Sequence, residues 1–369
     1  MKILHVSPTY YSEDSVVGGG EKYIVYMVRS IVAAANHAGE SVDNTLLAFG
    51  DKPGKYLLSG DTHCLVMQGT PWEPCSVDVQ KILDILDQYD IVLVHQCLTA
   101  FGMFVASHAK LAGKIVVGID EGGGEHPLVS HTSEACTMFD LFLAYSRFCQ
   151  NSFVELSVPV KLILGPVDTS YYCPMNIKRV PKLVVAVGRL LPHKGFDRII
   201  RALPKGGRLI IAGSRSDQGY FNYLHNLISN STSDISIREG LSDEEVRLLM
   251  QNASLFVHAS THFDYTGTHY AKPELLGLAP LEALACGTPT LVSNAGSLGE
   301  LGAITGCRVF SSNDELAIIL KSFVNERSSV LDPLEINRSV TELYGIQQFG
   351  DKLLIELKKL GSRYEDSCD

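Results

Sequence analysis

The feature that most constrains this 369-residue sequence is an alternation of short β-rich runs and helical stretches that runs its course twice. In the first half, residues 2–6 read as a strand and GGGEKYIVYMVRSIVAAA, from residue 18, as a helix. Val79, Ile82, Leu83 and Leu86 keep helical spacing and lead into IVLV at 91–94, with KIVVGI at 114–119 and FDLFLAYS at 139–146 as further strands. After the proline-flanked NIKRVP, the pattern restarts with LVVAV at 183–187, RLIIA at 208–212, ISI at 235–237, LFV at 255–257 and TLV at 290–292. In LSDEEVRLLM, Ser242 and Glu245 have the spacing of a capping box, with Val246, Leu249 and Met250 on one face of the helix that follows. Strands alternating with helices imply parallel sheets covered on both faces.

A chain of this length exceeds one ordinary core. The expected organisation is an N-terminal Rossmann-like domain over 1–170, a second over 171–345, and a last helical segment, 346–369, packing back on the first. Ligands of such sheets bind outside the carboxyl ends of the strands, so two facing sheets would hold theirs in the cleft between them. Hydrophobic content of 46% against 20% charged residues describes a globular protein, and a net charge of −10 argues against nucleic acid as the main partner. The same charge disfavours docking on anionic lipid. Nine cysteines without a Cys-x-x-Cys pair read as buried reduced thiols. The N-terminus enters a strand at once, without the apolar region of a signal peptide, and no apolar run reaches the length of a membrane span. A soluble, cytoplasmic protein is expected.

Two motifs carry chemistry. GRLLPHKG places Arg189 and Lys194 just beyond a strand end, where a guanidinium fork and an ammonium suit neighbouring phosphates; a solvated basic loop would look the same. PELLGLAPLEALACGTP, from residue 273, carries Glu274 and Glu282 eight residues apart in an otherwise apolar segment. Pro280 suits the first turn of a helix ending at Gly287, which puts Glu282 in that first turn and leaves the N–H groups near Leu278 and Ala279 available to an anion. A carboxylate holds two adjacent hydroxyls, so a glutamate on each side of an anion-binding helix start suggests hydroxyls, phosphates, then hydroxyls, the outline of a sugar nucleotide. A helix-stabilising Glu282 beside a solvated Glu274 stays open as the alternative.

The segment resembles the E-x7-E motif of family 4 retaining glycosyltransferases, whose GT-B fold has two facing Rossmann-like domains. VGRLLPHKGFDRII, LIIAG, IREGLSDEEVRLLMQNASLFVHAS and PELLGLAPLEALACGTPTLVSNAGSLGEL follow in the family's order. ILGPVDTSYYCP resembles its linker, with Gly165 and Pro166 where Asn-Gly is usual. The resemblance spans the second domain and is looser over the first. It implies that Arg189 and Lys194 hold the donor diphosphate, and that Glu274 lies beside the donor sugar. It further implies that Glu282 binds the ribose, that Gly277, Leu278 and Ala279 support phosphate or sugar through backbone N–H groups, and that Ile237 and Arg238 border the base. Gly188, in the same loop as Arg189, is assigned to the donor-binding set with it. The family uses no catalytic metal, and no cofactor is expected beyond a nucleoside diphosphate sugar as donor substrate, with a small-molecule or glycan acceptor.

In the first domain, glycine runs stand at 18–20 and 122–124. The family likeness implies that the first, with Gly19 and Gly20, faces the donor diphosphate and the acceptor. Where relatives often have a histidine, Asp120 and Glu121 follow Ile119, and Asp120 is assigned a hydrogen bond to the acceptor or to a donor hydroxyl. His95 reads as structural more readily than catalytic, and so do His262 and His269. A nicotinamide oxidoreductase fits poorly, because the loop from Ser7 is too long for a dinucleotide turn and the third glycine is missing. A non-catalytic sugar-nucleotide sensor of the same fold is the nearer rival.

Overall fold

Valine, isoleucine and leucine fill the short runs because strands covered on both faces have no side that can stay polar. The computed structural model describes residues 1–10, 19–59, 62–69, 77–121, 136–153, 157–325 and 331–366. It divides into one unit of Met1–Pro166 with Ile346–Asp369 and a second of Val167–Gly345. The first break thus falls a few residues ahead of the expected 170/171.

The first unit contains β1 (Lys2–Tyr10), β2 (Asp43–Phe49), β3 (Gly54–Ser59), β4 (Thr62–Met67), β5 (Ile91–His95), β6 (Ile115–Ile119), β7 (Leu141–Ala144) and β8 (Val160–Leu162). They form one sheet in the order β3-β4-β2-β1-β5-β6-β7-β8. Every pairing is parallel except the β3–β4 edge, which is antiparallel and departs from the purely parallel expectation. The helix Gly19–His37 buries Ile24, Met27, Val28 and Ile31. The C-terminal helix Ile346–Asp366 belongs to this unit, where Leu354 packs with Ala34 and Ala35 of that first helix.

The second unit contains β9 (Leu183–Val187), β10 (Arg208–Ala212), β11 (Asp234–Arg238), β12 (Leu255–His258), β13 (Thr290–Ser293) and β14 (Cys307–Phe310), in the order β11-β10-β9-β12-β13-β14 and parallel throughout. Its core joins Val184, Ala186, Ile199, Leu209, Ile211, Leu224, Val257 and Phe310. Burying each large aliphatic contributes about 1.5–3 kcal/mol. The capping box forms as its spacing predicts: Ser242 accepts from the Glu245 N–H, and the Glu245 carboxylate accepts from the Ser242 N–H at 2.8 Å. The unit's two ends meet, since the Val167 N–H donates to the Tyr344 carbonyl at 2.7 Å. Arg179 fastens the entering segment by donating to the carbonyls of Ala253 (2.8 Å) and Gly287 (2.7 Å).

In this sheet the strand order reverses between β9 and β12. Parallel sheets bind ligands at such a reversal, where the loops beyond the two strand ends turn in opposite directions and leave a crevice. The β1–β5 pair is the equivalent place in the first sheet. Among the described residues, no helix is long and apolar enough to cross a membrane, and seven cysteines are free thiols, most of them buried.

Candidate functional site

Beyond the end of β9 the chain passes Gly188 and the exposed Arg189 into a 3-10 turn, Pro192–Lys194. That turn lies hard against the end of β12. A Cβ on Gly195, whose φ is +65°, would stand 2.1 Å from the Ala259 carbonyl oxygen, so only glycine fits there. The Thr261 N–H donates to the His193 carbonyl at 2.8 Å and ties the two loops together.

From β12 the chain runs through a long loop to Glu274, then to the helix Leu278–Ala285. The Glu274 backbone is fixed from below. Its carbonyl accepts from the Ser297 N–H at 3.0 Å, and a Cβ on Gly296 would come within 2.2 Å of the same oxygen. The Glu274 Oε2 accepts from Lys194 Nζ at 2.8 Å and from His258 Nε2 at 2.9 Å, with the lysine and glutamate side chains only 14% and 15% exposed. Burial pushes the Glu274 carboxyl up, but the Lys194 charge and the His258 hydrogen bond outweigh it and hold the group well below the usual carboxylate range. Burial, reinforced by the Lys194 charge, pushes His193 down to about 4, and Glu274, Arg189 and His258 act on it as well. The candidate cations and Glu274 are therefore one electrostatic cluster.

The helix begins at Leu278 from a left-handed Gly277, so Pro280 is its third residue and Glu282 its fifth. Pro280 therefore lies in the first turn as expected, whereas Glu282, expected in that turn, stands just past it. The first described intrahelical bond runs from the Leu281 N–H to the Gly277 carbonyl, so the N–H groups of Leu278 and Ala279 precede the ladder. Glu282 is buried, and Gly287 follows the helix with φ +72°. At the end of β11, Ile237 is half-buried and Arg238 exposed, with the Arg238 carbonyl accepting from the Gly213 N–H at 3.1 Å. Arg189 enters no ion pair among the described residues. No three His, Cys, Asp or Glu side chains among the described residues gather into a set that could hold a metal ion.

In the first unit, Gly19 and Gly20 open the helix Gly19–His37, while Gly18 and the 122–124 run lie outside the described residues. Asp120 follows β6 and is buried. Its carbonyl accepts from the Tyr145 hydroxyl. Beside it, Glu121 Oε1 stands 2.7 Å from His95 Nδ1, and His95 Nε2 stands 3.0 Å from His5 Nδ1. Burial, then the neighbouring Asp120 and Glu21, pushes the Glu121 carboxyl well up, whereas burial pushes His95 down to about 3. The three groups form a buried chain in which burial favours the neutral form of each. His95 is thus a member of a buried hydrogen-bonded chain, and Glu121 and His5 are its unforeseen partners. His262 is held at both ring nitrogens: its Nδ1 meets the Tyr270 carbonyl at 2.9 Å and its Nε2 accepts from the Gly296 N–H at 3.3 Å. His269 is exposed, with its ring 4.8 Å from that of Phe263. The residue missed altogether is His258. Its only advance sign is a polar residue closing the apolar run LFVHAS.

Comparison with known proteins adds four findings. Residues 175–320 match the family described as "Glycosyl transferases group 1". These matches support a glycosyltransferase. A GDP-mannose:cellobiosyl-diphosphopolyprenol alpha-mannosyltransferase of Xanthomonas oryzae pv. oryzae is 25% identical, over 86% of this chain and 84% of its own. An uncharacterized glycosyltransferase of Methanocaldococcus jannaschii is 28% identical, over 64% of this chain and 67% of its own. Among solved structures, Anabaena HepE in complex with UDP and glucose superposes with a TM-score of 0.69 at 18% identity, over 97% of this chain and 100% of that one. The fold is α/β with two parallel-sheet domains of the GT-B type.

Proposed function

We propose that the chain is a retaining hexosyltransferase that moves a hexosyl group from a nucleoside diphosphate sugar to a hydroxyl of a small-molecule or glycan acceptor, without a metal. One observation carries the reading. At the strand-order reversal of the second sheet, an exposed arginine without an ion-pair partner among the described residues stands beside a lysine already oriented by a carboxylate. An ammonium has three N–H donors, and the Glu274 bond uses one, which leaves two for phosphate oxygens. Each charge-assisted bond contributes about 1.5–3 kcal/mol when shielded from water.

In this reading Arg189 and Lys194 take the diphosphate, with the N–H groups of Leu278 and Ala279 as further donors. Glu274 lies beside the donor sugar, Glu282 takes the ribose hydroxyls, and Ile237 and Arg238 border the base. Asp120 is the candidate for an acceptor or donor hydroxyl. The bond from the anomeric carbon to the phosphate oxygen breaks as the acceptor oxygen bonds to the same face, and the acceptor proton passes to the departing phosphate oxygen. The chain's main task is to hold donors ready for the leaving charge, which preorganised groups do without reorganising. The Xanthomonas oryzae relative is named for GDP-mannose and HepE was crystallised with UDP and glucose; nucleoside diphosphates and hexoses in both support this donor class.

The test is a panel of guanosine, uridine, adenosine and thymidine diphosphate sugars with soluble glycans and a polyprenyl diphosphate glycan as acceptors, run with chelator. The expected result is release of nucleoside diphosphate with one donor and an axial or equatorial product bond matching that of the donor by NMR. No turnover across the panel would overturn the reading, and an inverted product would overturn its retaining half.

A further inference from the structure

We infer that His258 is a positioning residue that, with Lys194, commits one oxygen of Glu274 to the protein and so reserves the other for a hydroxyl of the donor sugar. The inference rests on the donor site proposed above and assigns a division of labour within it. Both partners of the Glu274 carboxylate converge on Oε2, at 2.8 and 2.9 Å, while Oε1 carries no hydrogen bond among the described residues. An ionised carboxylate only accepts, so His258 Nε2 must carry its hydrogen, which fixes the tautomer. Ser260 Oγ stands 3.1 Å from the same nitrogen.

The histidine is well placed to orient another group, because its own backbone has little freedom. His258 closes β12 in register with Val292 of β13, and its ring is buried. The residues after it are pinned: Arg198 Nη1 donates to the Ala259 carbonyl at 2.8 Å, and Ser293 Oγ donates to the Ser260 carbonyl at 2.6 Å. Lys194 alone, a point charge on a flexible stem, would let the carboxylate rotate and exchange its oxygens. A second donor from a rigid strand end removes that freedom. Among the described residues, the titratable and charged groups facing Glu274 are Lys194 and His193 from the turn and His258 from β12.

The experiment compares wild type, His258→Leu and His258→Gln in nucleoside diphosphate binding and in donor turnover against pH. His258→Leu should keep nucleoside diphosphate affinity and donor KM within about threefold while kcat falls about tenfold to a hundredfold. The acid limb of kcat should move to higher pH, since one of the groups holding Glu274 ionised is gone. His258→Gln, which keeps an N–H donor, should restore most of the loss. Nitrogen-15 NMR of the wild type should report the Nε2–H tautomer, a readout that survives if a variant fails to fold. Wild-type kcat and an unmoved acid limb in His258→Leu, equal loss of kcat and nucleotide affinity, failure of glutamine to restore, or an Nδ1–H tautomer would each overturn the inference. A wild type that binds no nucleoside diphosphate would overturn the donor-site reading and this one with it.

Discussion

The Lys194 ammonium is held by a carboxylate that burial alone would neutralise, and the pair is consistent only as two charges. Replacing Lys194 by Ala should leave the fold intact, because no hydrophobic core passes through its side chain. Turnover should fall about 10²–10³-fold, as for loss of one preorganised donor to a leaving charge. Near-normal kcat in that variant would contradict its role. Glu121 gives the opposite case. Its carboxyl is pushed above its unfolded value by burial and by Asp120, so it favours the folded state below the unfolded value of about 4.3, and that contribution is lost as pH rises through the folded value. Glu121→Gln mimics the protonated form. Thermal unfolding should therefore show the variant gaining on wild type as pH rises above the unfolded value of about 4.3, and a loss that grows with pH would mean that the charged form is the one the fold stabilises.

At the scale of elements, the site depends on two turns held against strand ends by glycines. Gly195→Ala forces a Cβ to within 2.1 Å of a backbone oxygen in a left-handed conformation. The expected cost is about 2 kcal/mol or more by denaturant unfolding, with turnover falling further as the Lys194 turn shifts. A variant of wild-type stability would show that the turn does not need this approach. Much of this architecture was legible in advance. LVVAV and RLIIA emerge as β9 and β10 with the bounds read from their residues, because proline and glycine flank apolar runs too short for helices. The strands over 43–67 were not read, since DNTLLAF and GKYLLS mix polar and apolar residues without clean alternation, and pairing with neighbours rather than local pattern makes them strands. The helix after Glu274 was legible in its Gly277 break and in Pro280 of its first turn, but Glu282 was placed in that turn because Pro280 marks a turn without marking its first residue; the left-handed Gly277 starts the helix at Leu278, which carries Glu282 just past the first turn. His258 could not be assigned from its neighbours at all. Its partner lies 16 residues away across a loop whose path only the fold determines.

For the whole molecule, the two units differ in how they are closed. The second begins and ends at the same bridge, between Val167 and Gly345, while the first takes back the C-terminal helix with Phe349, Leu353 and Leu357 buried. Deleting residues from 346 onward should therefore strip protection from β1, β2 and the helix Gly19–His37 in hydrogen exchange, and leave β9–β13 protected. Phe349→Ala should reproduce the effect in part, at about 3–5 kcal/mol for a buried aromatic. Equal loss in both sheets would mean that the helix serves the molecule as one body. The central claim, that the strand-order reversal of the second unit holds a nucleoside diphosphate, is tested most directly by calorimetric titration of the four nucleoside diphosphates into wild type and Lys194→Ala. The account predicts saturable heat with one of them and an affinity about tenfold or more weaker in the variant. No heat with any of the four, or the same affinity in both proteins, would contradict it.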